Sequence, residues 1–286
     1  MILVTGATGH LGASTVEHLL KKTTADNIIA FARSEEKAKA LRDKGVEVRI
    51  GDFDDIASLD KAMQGIEKVL LISTVDHNRL QQHKNVVDAA KRADVHHIAY
   101  TGVSMNDLST SAIIGLMEAH FQTEDYIRKS GLSFTLLRNT LYTDVIPFYV
   151  GEQVFETGIY FPAGTGSVPF ALRNEMGEAI ANVLLQDGHE NKTYSITGNT
   201  LYSFRDIAEE LSALSGKTIA YTDADAAGYT DRLKQFDVPE YLIYMLGGFA
   251  ADIKNKQFEI VSNDLESLLG RNPASLKEGL KLIYNL

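Results

Sequence analysis

The sequence predicts an α/β protein built on a Rossmann-type doubly wound parallel sheet, with a smaller, mostly helical C-terminal lobe. Three observations carry this. Short β-branched runs alternate with helix-length amphipathic segments through the first half of the chain, a glycine-rich turn follows the first run directly, and helical patterns dominate the C-terminal half.

The strand-like runs fall at 2–5, 28–32, 46–50, 68–73, 97–101 and 133–138. Between them lie apolar positions at helical spacing, such as Val16, Leu19 and Leu20, then Val86, Val87 and Ala90. Right-handed crossovers wind such helices onto both faces of one sheet. The rhythm changes after Arg138: a Gly/Pro-rich stretch at 151–169 is followed by a helical pattern at 174–185. Residues 1–150 are therefore expected to form the dinucleotide-binding domain, with 174–200 returning to it, and 151–286 mainly a substrate lobe. Two capping boxes, Ser203-x-x-Asp206 and Ser275-x-x-Glu278, place helices near 204–214 and 276–285. Runs at 193–197 and 218–222 read as short strands extending the sheet edge.

Composition narrows the function. A net charge of -10 repels nucleic-acid phosphates, so a DNA or RNA partner is not expected. The absence of cysteine excludes thiolate nucleophiles, disulfides and thiolate metal sites. No apolar run approaches membrane-spanning length and no signal-peptide pattern opens the chain, so a cytoplasmic protein without membrane association is expected. The eight histidines lack metal-ligand spacing, and no Gly-x-Ser-x-Gly elbow is present. Neither a metal site nor a serine hydrolase is expected.

The chemistry is announced at Gly6-Ala7-Thr8-Gly9-His10-Leu11-Gly12. Gly6 and Gly9 suit a tight turn that lets backbone approach a pyrophosphate, Gly12 lets the helix pack closely, and the helix N-terminus supplies amides and positive dipole. The plain alternative is an ordinary strand-to-helix turn. An NAD site usually places Asp or Glu at the end of the second strand; this chain has Arg33, which would pair with a 2′-phosphate, so NADP(H) is the expected cofactor. A solvated arginine is the bland reading. Asp52 stands where a carboxylate accepts from the adenine amino group, or else caps the following helix. Ser73 and Thr74 end the fourth strand, near the expected nicotinamide ribose, or are merely a polar strand terminus.

Together with 70–73, 97–101, Thr135-Leu136-Leu137-Arg138-Asn139 and Tyr142, these residues make the chain resemble the NmrA-like branch of the atypical short-chain dehydrogenases, in particular the quinone oxidoreductase type 2 and triphenylmethane reductase group. The resemblance spans nearly the whole chain. It implies NADPH held by residues 6–12, Arg33, Ser73, Thr74 and the segment that contains Leu137, Arg138, Asn139 and Tyr142. It also implies one of two jobs, hydride transfer to a small molecule or dinucleotide sensing by a regulator without turnover.

The Tyr-x-x-x-Lys pair of typical short-chain dehydrogenases is missing, since Tyr126 and Lys129 are only three apart. This argues against a sugar-nucleotide epimerase-like enzyme. By resemblance, His120 lies near the position where related proteins carry the helix lysine, which implies contact with the nicotinamide ribose; the alternative is a surface histidine. Hydride addition to a quinone or cationic dye yields a delocalised anion or a neutral product, and neither needs a buried acid. The expected activity is therefore NADPH-dependent reduction of a quinone-like or other conjugated aromatic acceptor, with Asn139 and Tyr142 as weak polar orienters. Val75, Met105, Met117, Phe148, Tyr149, Tyr241, Tyr244, Met245 and Phe249 are candidate pocket walls, or simple core. The sequence leaves open whether the chain forms a homodimer.

Overall fold

The computed structural model describes residues 1–286. In chain order the first half runs β1 (Ile2–Val4), α1 (His10–Leu20), β2 (Ile28–Ala32), α2 (Glu35–Arg42), β3 (Glu47–Ile50), α3 (Ile56–Ala62), β4 (Lys68–Ile72), α4 (Arg79–Arg92), β5 (His97–Val103), α5 (Ile114–Ser130) and β6 (Ser133–Asn139). The second half runs α6 (Ile146–Val150), α7 (Val154–Thr157), β7 (Ile159–Tyr160), β8 (Ser167–Val168), α8 (Arg173–Leu185), β9 (Lys192–Ile196), β10 (Tyr202–Ser203), α9 (Phe204–Ser215), β11 (Tyr221–Thr222), α10 (Ala226–Gln235), α11 (Glu240–Lys254), α12 (Asp264–Leu269) and α13 (Leu276–Tyr284). No helix is long and apolar enough to cross a membrane.

The chain divides into two compact units. The first comprises 1–103, 118–139 and 173–194. Its sheet has the order β3-β2-β1-β4-β5-β6-β9, and β1 to β6 pair in parallel. Strand order reverses beside β1, which pairs with both β2 and β4, and this is where such sheets bind ligands. β1, β2 and β5 are buried at every position, as strands covered on both faces must be. Leu3, Ile29, Leu71, Tyr100 and Leu136 join Leu59, Val86, Val87 and Ile127 of α3, α4 and α5 in one core. Elsewhere in this unit α1 packs on α8 so closely that a Cβ on Gly177 would lie 2.8 Å from the Ser14 Cβ. The Ser14 hydroxyl donates to the Asn174 carbonyl at 3.2 Å.

The second unit comprises 104–117, 140–172 and 195–286. Residues 104–117 group here because fully buried Asp252 accepts the Ser111 hydroxyl at 2.6 Å and the Ala112 amide at 2.7 Å. Gln257 adds to this by accepting the Asp107 amide and donating to Thr110. The core is aromatic: Tyr149 packs against Phe148, Phe161, Phe204 and Phe249, with ring centroids 5.7–6.1 Å apart. Both capping boxes form at the serines the sequence marks, on α9 and α13.

One expectation for the strands is corrected. Of 218–222 only Tyr221–Thr222 is a strand, and it pairs with β7 in the second unit instead of extending the main sheet. The reason is local: the Tyr221 hydroxyl donates to the carbonyls of Phe161 and Gly164 at 3.1 Å.

Candidate dinucleotide site

The site begins where β1 ends. Thr5 is fully buried; its hydroxyl donates to the Leu70 carbonyl at 2.9 Å and accepts the Ile72 amide at 3.0 Å, so the end of β1 is pinned to β4. The chain then turns through Gly6 at φ +59°, a left-handed conformation that glycine adopts without penalty, and the Gly9 amide donates to the Gly6 carbonyl at 2.9 Å. Gly9 is the N-cap of α1. It provides no side-chain cap, and no acidic residue lies in the first turn. Gly12 faces back into the turn, where a Cβ would lie 2.7 Å from the Gly6 carbonyl carbon and 2.8 Å from the Ala7 Cα.

Ala7 and Leu11 are buried, whereas Gly6, Thr8, Gly9 and His10 are exposed. A helix N-terminus left uncapped, with backbone and small residues facing solvent, is the form an anion cradle takes, because the first-turn amides have no intrahelical acceptor. The residues present thus fit the phosphates of a dinucleotide.

Arg33 is exposed at the end of β2 and takes part in none of the fold's ion pairs. Its charge reaches Asp76: the Asn78 amide chiefly holds that carboxyl below its ordinary range, and His77 and Arg33 lower it further. The neighbouring Ser34 caps α2 by accepting the Lys37 amide.

Asp52 does not cap α3; Asp55 does, by accepting the Ser58 amide at 3.2 Å. Asp52 instead accepts the Asp54 amide at 2.9 Å. The sequence reading missed Asp54, whose carboxylate accepts Asn78 Nδ2 at 3.2 Å and Gln82 Nε2 at 2.8 Å and so joins the loops after β3 and β4. It is one of four aspartates between 52 and 60, and nothing local singles it out.

The loop after β4 is held from within the first unit. The Ser73 amide donates to Thr101 Oγ1 at 3.1 Å, the Thr74 amide to His83 Nε2 at 3.4 Å, and Arg79 Nη1 to the Thr74 carbonyl at 3.2 Å. Arg79 is only 4% exposed, and burial pulls its pKa down. Because the Thr74 N–H can only donate, His83 Nε2 accepts, and its Nδ1–H donates to Thr123 Oγ1 at 2.9 Å. Burial pushes the His83 pKa down to about 3, so this ring is neutral at pH 7.

His120, on α5, is half-buried and not a free surface histidine: its Nδ1 lies 3.0 Å from the hydroxyl of fully buried Tyr100. Burial, with the charge of Arg79 beside it, holds His120 well below its ordinary pKa. At the end of β6 Leu137 is fully buried and Asn139 is 3% exposed. Arg138 follows Leu137 with its guanidinium engaged inside the first unit. Its Nε and Nη2 donate to the two carboxylate oxygens of buried Glu124 at 2.9 and 2.6 Å, so its guanidinium braces β6 against α5.

In the second unit Tyr142 is half-buried and bridges to Ala171. Of the candidate pocket walls there, Met105, Met117 and Tyr149 are buried core, Phe148, Tyr241 and Tyr244 are exposed, and Met245 and Phe249 are half-buried. Val75, in the first unit, is exposed. Tyr126 donates to Asp88 at 2.7 Å and lines an outer groove with Lys84 and Lys129, so no displaced Tyr-Lys pair is hidden there.

The NmrA-like family profile matches residues 1–280. Quinone oxidoreductase 2 of Escherichia coli is 35% identical over 288 residues, covering 100% of this chain and 99% of that protein. The crystal structure of an E. coli NADPH-dependent quinone oxidoreductase complexed with NADPH superposes with a TM-score of 0.91 at 36% identity, covering all of both chains. The triphenylmethane reductase of Citrobacter sp., crystallised with NADP(H), gives a TM-score of 0.92 at 39% identity over 99% of both chains.

Proposed function

This chain belongs to the NmrA-like family, and from that premise we propose that it is an NADPH-dependent reductase that passes hydride to a quinone-like or other conjugated electrophile. The observation that carries the cofactor choice is Arg33, exposed and outside every ion pair, one strand away from the uncapped N-terminus of α1. A carboxylate there would repel a 2′-phosphate; a guanidinium forks onto it. The similar quinone and triphenylmethane reductases, crystallised with NADPH and NADP(H), support the same reading.

When bound, the cofactor supplies a hydride from its reduced nicotinamide ring. The first-turn amides of α1 bind the phosphates, with Gly6, Gly9 and Gly12 keeping the approach clear. Ser73 and Thr74, fixed by Thr101, His83 and Arg79, line the ribose side, with Asp52 toward the adenine. His120 faces the nicotinamide ribose, and Asn139 and Tyr142 orient the acceptor. No residue here is placed as a strong acid, which suits an acceptor whose reduced form is a delocalised anion or neutral. The first unit, which carries the glycine turn and Arg33, holds the dinucleotide. We place the protein in the cytoplasm, acting on small molecules.

Fluorescence titration with NADPH, followed by absorbance at 340 nm with naphthoquinone, tests this reading. Acceptor-dependent oxidation that falls in an Arg33→Ala variant supports it. Tight NADPH binding without turnover on quinones, azo dyes or triphenylmethane dyes sinks it in favour of a dinucleotide-sensing regulator.

A further inference from the structure

A buried polar cluster lies beneath the loop after β4, and the established family resemblance gives it no role. Tyr100 on β5 is fully buried; its hydroxyl lies 3.0 Å from His120 Nδ1 and also bonds to the side chains of Ser73 and Thr123. His83 stands edge-on to the Tyr100 ring, with centroids 5.4 Å apart, and is committed on both nitrogens, to the Thr74 amide and to Thr123. Thr123 in turn donates to the Ala119 carbonyl at 2.7 Å. The guanidinium of Arg79 closes the cluster, with Nη1 on the Thr74 carbonyl and Nη2 buried without a hydrogen-bond partner. Glu124, whose charge reaches Tyr100, is taken up by Arg138.

We propose that Tyr100 is a positioning residue that donates its hydroxyl proton to His120 Nδ1 and thereby fixes His120 as the neutral Nε2–H tautomer. His120 then presents a hydrogen-bond donor to a hydroxyl or carbonyl oxygen on its open side. The inference rests on the reading of His120 as the group that faces the nicotinamide ribose.

The arrangement follows from accounting for protons. A buried phenol must place its O–H on an acceptor or bear the cost of an unmade hydrogen bond. Burial raises the Tyr100 pKa, so the hydroxyl keeps its proton and remains a donor throughout the working pH range. Nδ1 of His120 is then occupied as an acceptor, and the ring's single proton resides on Nε2. Protonation of His120 would add a second positive charge beside Arg79, which carries no counter-ion in this cluster; the neutral form is retained. A neutral donor is also the species compatible with positive charge developing on a nicotinamide ring as it gives up hydride. Tyr100 does not act as the proton source, because a phenol held above its ordinary pKa is a poor acid.

His83 provides an internal contrast. Its Nε2 accepts from a backbone amide, which fixes the opposite, Nδ1–H tautomer. Two neutral histidines of one cluster thus hold opposite tautomers.

Nitrogen-15 NMR of the histidine side chains in the cofactor-free protein at pH 7 reads this directly, with His120→Gln and His83→Gln used for assignment. Expected are a pyridine-like Nδ1 and protonated Nε2 for His120 and the reverse for His83. The His120 pattern should move toward a tautomer mixture in Tyr100→Phe, while His83 stays as it is. A protonated Nδ1 on His120, or a His120 spectrum unchanged in Tyr100→Phe, overturns the proposal. The wild-type spectrum decides the matter even if that variant folds poorly. NADPH titration separates the underlying reading: His120→Ala should raise the Kd by at least roughly threefold, about 0.7 kcal/mol, and Tyr100→Phe by less. An unchanged Kd in His120→Ala would remove His120 from the cofactor site while leaving the tautomer assignment to stand or fall on the spectrum.

Discussion

Replacing Gly12 with Ala puts one methyl group where the turn after β1 has no room for it. The new Cβ would lie 2.7 Å from the Gly6 carbonyl carbon and 2.8 Å from the Ala7 Cα, both backbone atoms. Ordinary carbon contacts start near 3.5 Å, so about 0.7 Å or more of separation must be found. It cannot come from α1 backing away. On the α8 side Gly177 already sits where a Cβ would lie 2.8 Å from the Ser14 Cβ and 2.9 Å from the Thr15 amide nitrogen. Nor can the β1 end yield, because Thr5 is bonded to both Leu70 and Ile72 of β4. The strain falls on residues 6–9, whose amides and helix entry form the proposed anion cradle. Overpacking of this kind costs about 1–3 kcal/mol, a Tm loss of roughly 2–4 °C per kcal/mol in a chain of this size class. A cradle displaced by this much should weaken NADPH binding at least about tenfold, or 1.4 kcal/mol. Gly247, in α11, is the control. A Cβ there meets nothing within 4 Å and its φ is not positive, so Gly247→Ala should be neutral or stabilising by up to about 1 kcal/mol. Differential scanning fluorimetry and NADPH fluorescence titration read both effects. Gly12→Ala binding NADPH like the parent with an unchanged Tm would refute the reasoning.

Other outcomes follow from the same geometry. Arg33→Ala should weaken NADPH binding about ten- to hundredfold and leave NADH almost untouched, with Tm unchanged because Arg33 is exposed and unpaired; equal losses for both nucleotides would contradict its role. Glu124→Gln should lower stability by about 1–2 kcal/mol in a denaturant melt, less than for a fully buried pair because the Arg138 side chain is 32% exposed and can be hydrated. Burial holds His83 at about 3 and His97 at about 4. Above about 6.5 both are neutral in the folded and unfolded chains. Below it the unfolded chain takes up protons that the folded chain refuses, so stability should fall as pH drops from about 6.5 toward 4. Thermal melts across that interval, flatter in His97→Gln, check the sign. An Asn139→Ala, Tyr142→Phe double variant should lose turnover with a quinone while keeping its NADPH Kd; full turnover would remove both residues from the acceptor's surroundings.

The seven strands of the main sheet lay in the sequence to within two residues at each end, the inner ones because strands buried on both faces read as unbroken apolar runs. The glycine turn and both capping boxes were legible for a related reason. Each is a local device whose residues lie three apart and act on their own backbone. What escaped the sequence was pairing across elements. Nothing in the sequence shows that α5 brings Glu124 against Arg138 from fourteen positions away. Tyr100 and His120, twenty apart, meet only because β5 and α5 share the first unit. Tyr149 and Met117 carry the residue types of a substrate pocket and are spent on core. Asp55, not Asp52, took the cap because the helix starts one residue after it, a boundary that composition does not fix in a run of aspartates.

The proposed chemistry is two-electron hydride transfer from NADPH to a conjugated acceptor. The most direct test is anaerobic turnover of a naphthoquinone with NADPH deuterated at the transferring carbon. One quinone should be reduced per NADPH consumed, with a primary deuterium isotope effect in single turnover. NADPH that binds tightly at residues 6–12 and Arg33 yet is never oxidised by quinones or dyes would contradict it, and would make the same site a sensor.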